Sequence, residues 1–205
     1  MEERGRDPKA AAEFLAGWIA RHAEGARAGG AVFGLSGGID SAVVCGLCAR
    51  ALGAERCLGV VMPIGNVKED ERLARDVARA FGVRVAAPDL LPAFEELEGA
   101  LRAERDALGF EAADEGAARL AAANLKPRLR MLTLYHFANL RNWLVVGTGN
   151  RAELTVGYFT KHGDSGVDLL PLADLTKTEV RAVARALGVP ERIVDRPPSA
   201  GLWEG

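Results

Sequence analysis

The stretch GLSGGIDSAVV, residues 34–44, sets two adjacent glycines between serines and an aspartate where a phosphate-binding loop commonly carries lysine. The apolar run AVFGL (31–35) precedes it as a short strand, and residues 40–52 follow it with the spacing of a helix. Strand, glycine-rich turn and helix N-terminus in that order aim several backbone N–H groups and the positive end of a helix dipole at one point. An anion belongs there. Gly37 and Gly38 can take positive φ and admit a close backbone approach, while Ser36 and Ser41 add hydroxyl donors. A G-x-x-x-x-G-K loop uses its lysine on the terminal phosphates. Asp40 stands in that lysine's place, so its carboxylate would face polyphosphate only through a bridging Mg²⁺. Mg·ATP, or its pyrophosphate portion, is therefore the expected ligand. The spacing alone also admits a plain glycine turn with Asp40 as a helix cap.

Outward from this loop, the chain alternates strand and helix. Residues 8–24 carry Phe14, Leu15, Trp18, Ile19 and His22 at helical spacing. After the helix at 40–52 come a strand in CLGVVMPI (57–64), a charged helix at 68–81 stopped by Gly82, and the strand VRVAA (83–87). Short links between alternating strands and helices predict β-α-β crossovers and a parallel sheet. The spacing next predicts helices at 92–108, 111–125 and 127–141, the last opened by Pro127. A fourth strand, WLVVGTG (143–149), runs into a helix begun by NRAEL (150–154). Residues 160–174, rich in glycine and aspartate, read as a long mobile loop, and a final helix at 177–187 ends at Gly188 with Pro190 beyond it. The expected fold is α/β, an open parallel sheet with helices on both faces, in one domain spanning 1–205.

Composition narrows the partners. A formal net charge of −2 argues against a broad electrostatic grip on nucleic acid. No segment approaches the roughly 18 uninterrupted apolar residues of a membrane span, nor does an apolar run with a cleavage site open the chain, so a cytoplasmic protein is expected. The three cysteines, Cys45, Cys48 and Cys57, are an odd number crowded into one region and imply no disulfide framework. Cys45 and Cys48 form a C-x-x-C inside an apolar helical run, with no second pair or nearby histidine to complete a zinc set, so they read as core. His22, His136 and His162 have no partners at catalytic spacing.

SGGIDS (36–41) resembles the phosphate loop of the ATP pyrophosphatases, which split ATP between the α and β phosphates to activate a carboxylate or carbonyl by adenylation. NLKPRLRM (124–131), GTGNRAELTVGYFTKHGDSGVDLLPLADLTKTEVR (147–181) and PPSAGLWEG (197–205) resemble, in order and spacing, the motifs of the ammonia-dependent NAD synthetases. That resemblance implies a Rossmann-like sheet of the adenine nucleotide alpha-hydrolase type. It also implies a carbon–nitrogen ligase that adenylates the nicotinate carboxylate of deamido-NAD and amidates it with ammonia, giving NAD, AMP and pyrophosphate. Carried over position by position, ATP falls on Gly34, Leu35, Ser36, Gly37, Gly38, Ile39, Asp40 and Ser41, and on Thr148, Lys177 and Ser199. Mg²⁺ falls on Asp40 and Glu153, deamido-NAD on Arg128, Lys161 and Asp168, and the catalytic roles on Asp40 and Lys177. Family members are homodimers, and the LRMLTLYHF helix (129–137) is a candidate contact.

The family normally continues beyond LWEG with a histidine–lysine pair near the substrate. Either that tail is absent here or deamido-NAD is held by fewer contacts. With no room for a glutaminase domain, direct use of ammonia or a separate donor is expected. Rival readings are another ATP pyrophosphatase, such as a tRNA-thiolating enzyme or amidotransferase subunit, and a non-catalytic nucleotide-binding homo-oligomer. A tRNA-thiolating enzyme would want a cysteine in the second half and a basic surface. GTGNRA (147–152) also invites a dinucleotide-dependent oxidoreductase, although no acid-ended second strand follows it.

Overall fold

The computed structural model describes residues 7–65 and 68–196. Its first helix, α1 (Pro8–Gly25), begins where Asp7 accepts a hydrogen bond from the Lys9 amide and Pro8 presets the helical φ. Four strands follow along the chain: β1 (Ala31–Gly34), β2 (Cys57–Val60), β3 (Arg84–Ala86) and β4 (Leu144–Val145). All are parallel, in the order β3-β2-β1-β4, with Ala31 opposite Cys57 on one side and Leu144 on the other. The chain thus builds outward from β1 to β3, then returns to add β4 on β1's other edge.

Side chains alternate across the sheet as a pleat requires. Ala31, Phe33, Cys57, Val61 and Val146 face one apolar cluster, whereas Val32, Val60, Met62 and Val145 face another. Over the first face lies a layer of α1, α2 (Ile39–Leu52) and α3 (Lys68–Phe81), together with two helices that follow β4, α7 (Lys177–Leu187) and α8 (Glu191–Val194). Over the second lies α5 (Glu115–Asn139), with α4 (Leu91–Leu108) packed on it. The expected open parallel sheet with helices on both faces is what the chain forms.

Several expectations change in detail. The helices read at 111–125 and 127–141 are one helix, α5, with Pro127 buried inside it. Proline cannot donate the backbone hydrogen bond of its position, a cost of about 3 kcal/mol in an exposed helix. Here the ring lies beneath the 160–166 segment, so close that a Cβ on Gly163 would stand 3.1 Å from Pro127 Cβ, and tertiary packing carries the helix through. The 160–174 segment, read as a mobile loop, is tied down. The Thr160 amide donates to Asp164 Oδ1 at 2.8 Å, Gly147 donates to the Leu169 carbonyl at 2.8 Å, and Val146 and Leu169 form a parallel bridge. The helix opened by NRAEL is short, α6 (Arg151–Val156), and α8 carries no strong sequence signal.

All three cysteines are buried and unpaired, as expected of core residues. Burial pushes the Cys45 and Cys57 thiols up to about 12 and raises Cys48 further in the same direction, which leaves them inert. No described helix is long and apolar enough to cross a membrane.

An ion network binds α3 to the end of the described chain. Buried Asp76 is shared by Arg72, Arg79 and Arg192, while Arg196 donates to Asp70 Oδ1 at 2.5 Å. The Arg79 hydrogen bond, aided by the charges of Arg192, Arg79 and Arg72, holds the Asp76 carboxyl below its ordinary range against the opposing effect of burial.

Candidate active site

Because β2 lies to one side of β1 and β4 to the other, the turns leaving the carboxyl ends of β1 and β4 diverge from a common crevice. Open α/β sheets collect ligands at such a switch point. The first turn is a frame of small residues. Leu35 donates its amide to the Val60 carbonyl at 2.9 Å, Ser41 Oγ donates to the Gly38 carbonyl at 2.8 Å, and the Ser36 and Ser41 hydroxyls meet at 3.2 Å. Gly37 has φ of +79°, and a Cβ there would come within 2.5 Å of the Asp70 carbonyl oxygen on α3. Only glycine satisfies both conditions.

Gly38 is the N-cap of α2, and among the described residues no side chain caps that helix. Asp40 is therefore not the cap that spacing alone allowed. It sits in the first turn with its carboxylate turned across the crevice, while the Gly38 amide is held by Ser36 Oγ at 3.3 Å. There Lys177, the first residue of α7, pairs with Asp40 Oδ2, and Asn150 Nδ2 donates to Asp40 Oδ1 at 3.1 Å.

The second turn, after β4, supplies the other acid. Asn150 caps α6, its Oδ1 accepting from the amides of Ala152 at 3.0 Å and Glu153 at 3.3 Å. Glu153 Oε2 in return accepts from the Asn150 amide at 3.0 Å, completing a capping box. Burial pushes the Glu153 carboxyl up, and the charge of nearby Asp40 adds to that, opposed by the Asn150 amide and by Lys177. Thr148 lies half-buried in the same turn. Glu153, Gly149, Tyr158 and Asp164 line a small crevice beside it.

Among the described residues, no cluster of three or more acid, histidine or cysteine side chains is present to cage an ion by itself. Mg²⁺ does not ask for one: it takes one or two carboxylates and completes its shell with phosphate oxygens and water. Asp40 and Glu153 could supply such a pair, and Asp40 already pairs with the Lys177 ammonium.

The residues expected at the dinucleotide lie on α5 and the segment covering it. Arg128 Nε donates to the Lys161 backbone carbonyl at 3.3 Å, which ties α5 to the segment carrying Lys161. Asp168 faces another way: its Oδ2 accepts from the Val145 amide at 2.7 Å and its Oδ1 from Tyr135 at 3.0 Å, so it pins the covering segment to β4. Burial, and then the bond to Asp168, pushes Tyr135 up to about 12. Ser199 lies outside the described residues. Asn150 and Tyr135 were not anticipated; Asn150 alone had a signal, an Asn followed three residues later by Glu at a helix start.

An open parallel sheet whose first strand feeds a bare-backbone turn at the switch point defines a Rossmann-like nucleotide-binding protein of the adenine nucleotide alpha-hydrolase type. The family model of NAD synthase matches residues 12–205, and the chain belongs to that family. It is 45% identical over 193 residues to the NH(3)-dependent NAD(+) synthetase of Finegoldia magna, covering 94% of this chain and 75% of that protein. The structure of NMN synthetase from Francisella tularensis superposes with a TM-score of 0.86 at 32% identity, covering 98% of this chain and 79% of that one. The NH3-dependent NAD synthetase of Campylobacter jejuni superposes at 0.77 with 28% identity, covering 92% and 77%. The family is one of carbon–nitrogen ligases that use ATP as co-substrate.

The raised Glu153 carboxyl has a pH signature. Above its ordinary value of 4.5, the folded state binds this proton more tightly than the unfolded state does. The group thus favours folding at low pH, and that contribution is lost as pH rises through the raised value. Glu153→Gln keeps a carbonyl acceptor for the Asn150 amide but no charge. In denaturant titrations of the ligand-free protein from about pH 4 to about pH 8, the variant should gain on the wild type as pH rises. Parallel pH profiles would contradict the assignment.

Proposed function

We propose that this chain uses Mg·ATP to adenylate the nicotinate carboxylate of deamido-NAD and then passes the acyl group to ammonia. The observation that carries the reading is Asp40: an acid in the first turn of an uncapped helix, held between Lys177 and Asn150 where a phosphate would approach. In the first step the carboxylate oxygen attacks the α phosphorus, the bond to the bridging α–β oxygen breaks, and pyrophosphate leaves. In the second, ammonia attacks the acyl carbon, AMP departs with the carboxylate oxygen, and the nitrogen sheds a proton to become the amide of NAD.

Each residue has a task in that sequence. The Gly37 amide and those of the first turn of α2 bind the outer phosphates, while Ser36 and Ser41 brace the turn, Ser36 Oγ accepting from the Gly38 amide. Asp40 and Glu153 would hold Mg²⁺, which would supply positive charge to the polyphosphate. Lys177 exchanges Asp40 for phosphate oxygens and neutralises charge that builds as the α–β bond breaks. Thr148 and Ser199 contact ATP. Arg128 and Lys161 bind anionic groups of deamido-NAD, with Asp168 setting the segment that carries Lys161. That segment, packed over α5, keeps water from the adenylate.

The oxidoreductase alternative loses support from α6, whose six residues are followed, among the described residues, by an isolated bridge between Val146 and Leu169 and by no strand. A mononucleotide substrate is the second reading, favoured by the likeness to the NMN synthetase structure. We place the protein in the cytoplasm, with its three thiols reduced, and assign it to a homodimer. Helix α4 buries no residue within its own chain, and Leu97, Leu101, Leu108 and Phe110, on it or just past it, are exposed, as are Leu120 and Leu132 on α5. Leu132 belongs to the helix expected to make the contact. A second copy would cover this apolar ridge.

Purified protein given ATP, Mg²⁺, ammonium and deamido-NAD should release AMP, pyrophosphate and NAD in equal amounts; release of ADP rejects adenylation. Asp40→Ala and Glu153→Ala should abolish turnover while the fold persists. Nicotinate mononucleotide, run in parallel, should show the lower kcat/KM, and the reverse order would favour the second reading. In sedimentation velocity the wild type should run as a dimer and Leu101→Asp with Leu132→Asp as a monomer. A wild-type monomer would refute the interface.

A further inference from the structure

Asn150 is 2% exposed and makes five hydrogen bonds, one of them from the Leu154 amide to its carbonyl at 3.1 Å. Its backbone amide donates to Glu153 Oε2 at 3.0 Å. Its side-chain Oδ1 accepts from two backbone amides, those of Ala152 and Glu153. Those donors fix which end of the amide is oxygen, so Nδ2 is left to point away from α6, and it donates to Asp40 Oδ1 at 3.1 Å. One residue therefore touches both acids of the proposed metal pair, which come from different strand-to-helix turns on opposite sides of the switch point.

We infer that Asn150 is a positioning residue that sets the distance and orientation of Asp40 relative to Glu153, so that the two carboxylates can share one divalent cation. The inference rests on the metal assignment proposed above. Three physical points carry it. Asn150 bonds to both acids, to Glu153 through its backbone amide and to Asp40 through Nδ2, so one residue sets their separation. A neutral amide supplies that restraint without consuming the negative charge the metal requires, whereas Lys177, the other group on Asp40, cancels it. And by occupying Oδ1, Asn150 leaves Oδ2 as the oxygen that a cation takes, which is where the ammonium stands in this structure. Groups that orient metal ligands in this way typically change affinity about 10–100-fold when removed.

The competing account is that Asn150 only caps α6. Serine separates the two, because Ser ranks with Asn as an N-cap but its hydroxyl is too short to reach Asp40 as well. Wild type, Asn150→Ser and Asp40→Ala are compared by electron paramagnetic resonance of free Mn²⁺ in the presence of a non-hydrolysable ATP analogue, with thermal unfolding as the control for the fold. Asn150→Ser should unfold close to the wild-type temperature yet bind Mn²⁺ about tenfold more weakly. Its half-saturating Mg²⁺ in turnover should rise by the same factor, with a much smaller change in kcat at saturating Mg²⁺. Should the serine variant not fold, Asn150→Thr caps through the same kind of hydroxyl and is read the same way. Wild-type Mn²⁺ affinity in a folded serine or threonine variant overturns the inference and leaves the metal site standing. Unchanged Mn²⁺ affinity in Asp40→Ala overturns the metal assignment itself, and this inference with it.

Discussion

The site depends on one carboxylate reaching across a gap in the sheet. Asp40 leaves the first turn of α2, on the β1 side of the switch point, and is met by Asn150 from the β4 side and Lys177 from α7. A partly buried acid is costly unless paired. Pairing it with a lysine and a neutral amide keeps the crevice folded without ligand, yet leaves both partners exchangeable for a metal and a polyphosphate.

Everything around that acid serves to hold its turn in place. Gly37 lets α3 come against the loop at Asp70, and Asp70 in turn pairs with Arg196 near the end of the described chain. Asp76 binds α3 to α8 through Arg192. On the far side Asp168 and Tyr135 fasten the covering segment to β4, so the turn carrying Asn150 and Glu153 is buttressed as well. The turn proposed to bind phosphate is thereby braced on both sides, and a braced turn loses less entropy on binding.

Much of this was written in the sequence because local chemistry sufficed. Apolar strand, glycine pair and helix in GLSGGIDSAVV admit few structures, and the strand–helix alternation gave the parallel sheet with helices on both faces. The elements misread are those settled by distant contacts. Pro127 looks like a helix start by its own chemistry, and only burial under the 160–166 segment makes it a mid-helix residue. That segment looks free because its bonds are long-range: Thr160 reaches Asn124, and Leu169 reaches Val146 and Gly147. In the site, Asp40 and Glu153 were legible as acids on turns, but their link through Asn150 spans 110 positions and no local pattern announces it. Asp168, assigned to the substrate by likeness, also anchors its segment to β4 by accepting from the Val145 amide.

The central claim is that the turn at 34–41 is the phosphate cradle and that Lys177 gives up Asp40 when the nucleotide arrives. A crystal structure with Mg²⁺ and an ATP analogue that cannot split between the α and β phosphates tests both at once. The account predicts the outer phosphates on the amides of this turn and the Lys177 ammonium moved from Asp40 onto them. A nucleotide bound elsewhere, with the Lys177–Asp40 pair intact, would contradict it.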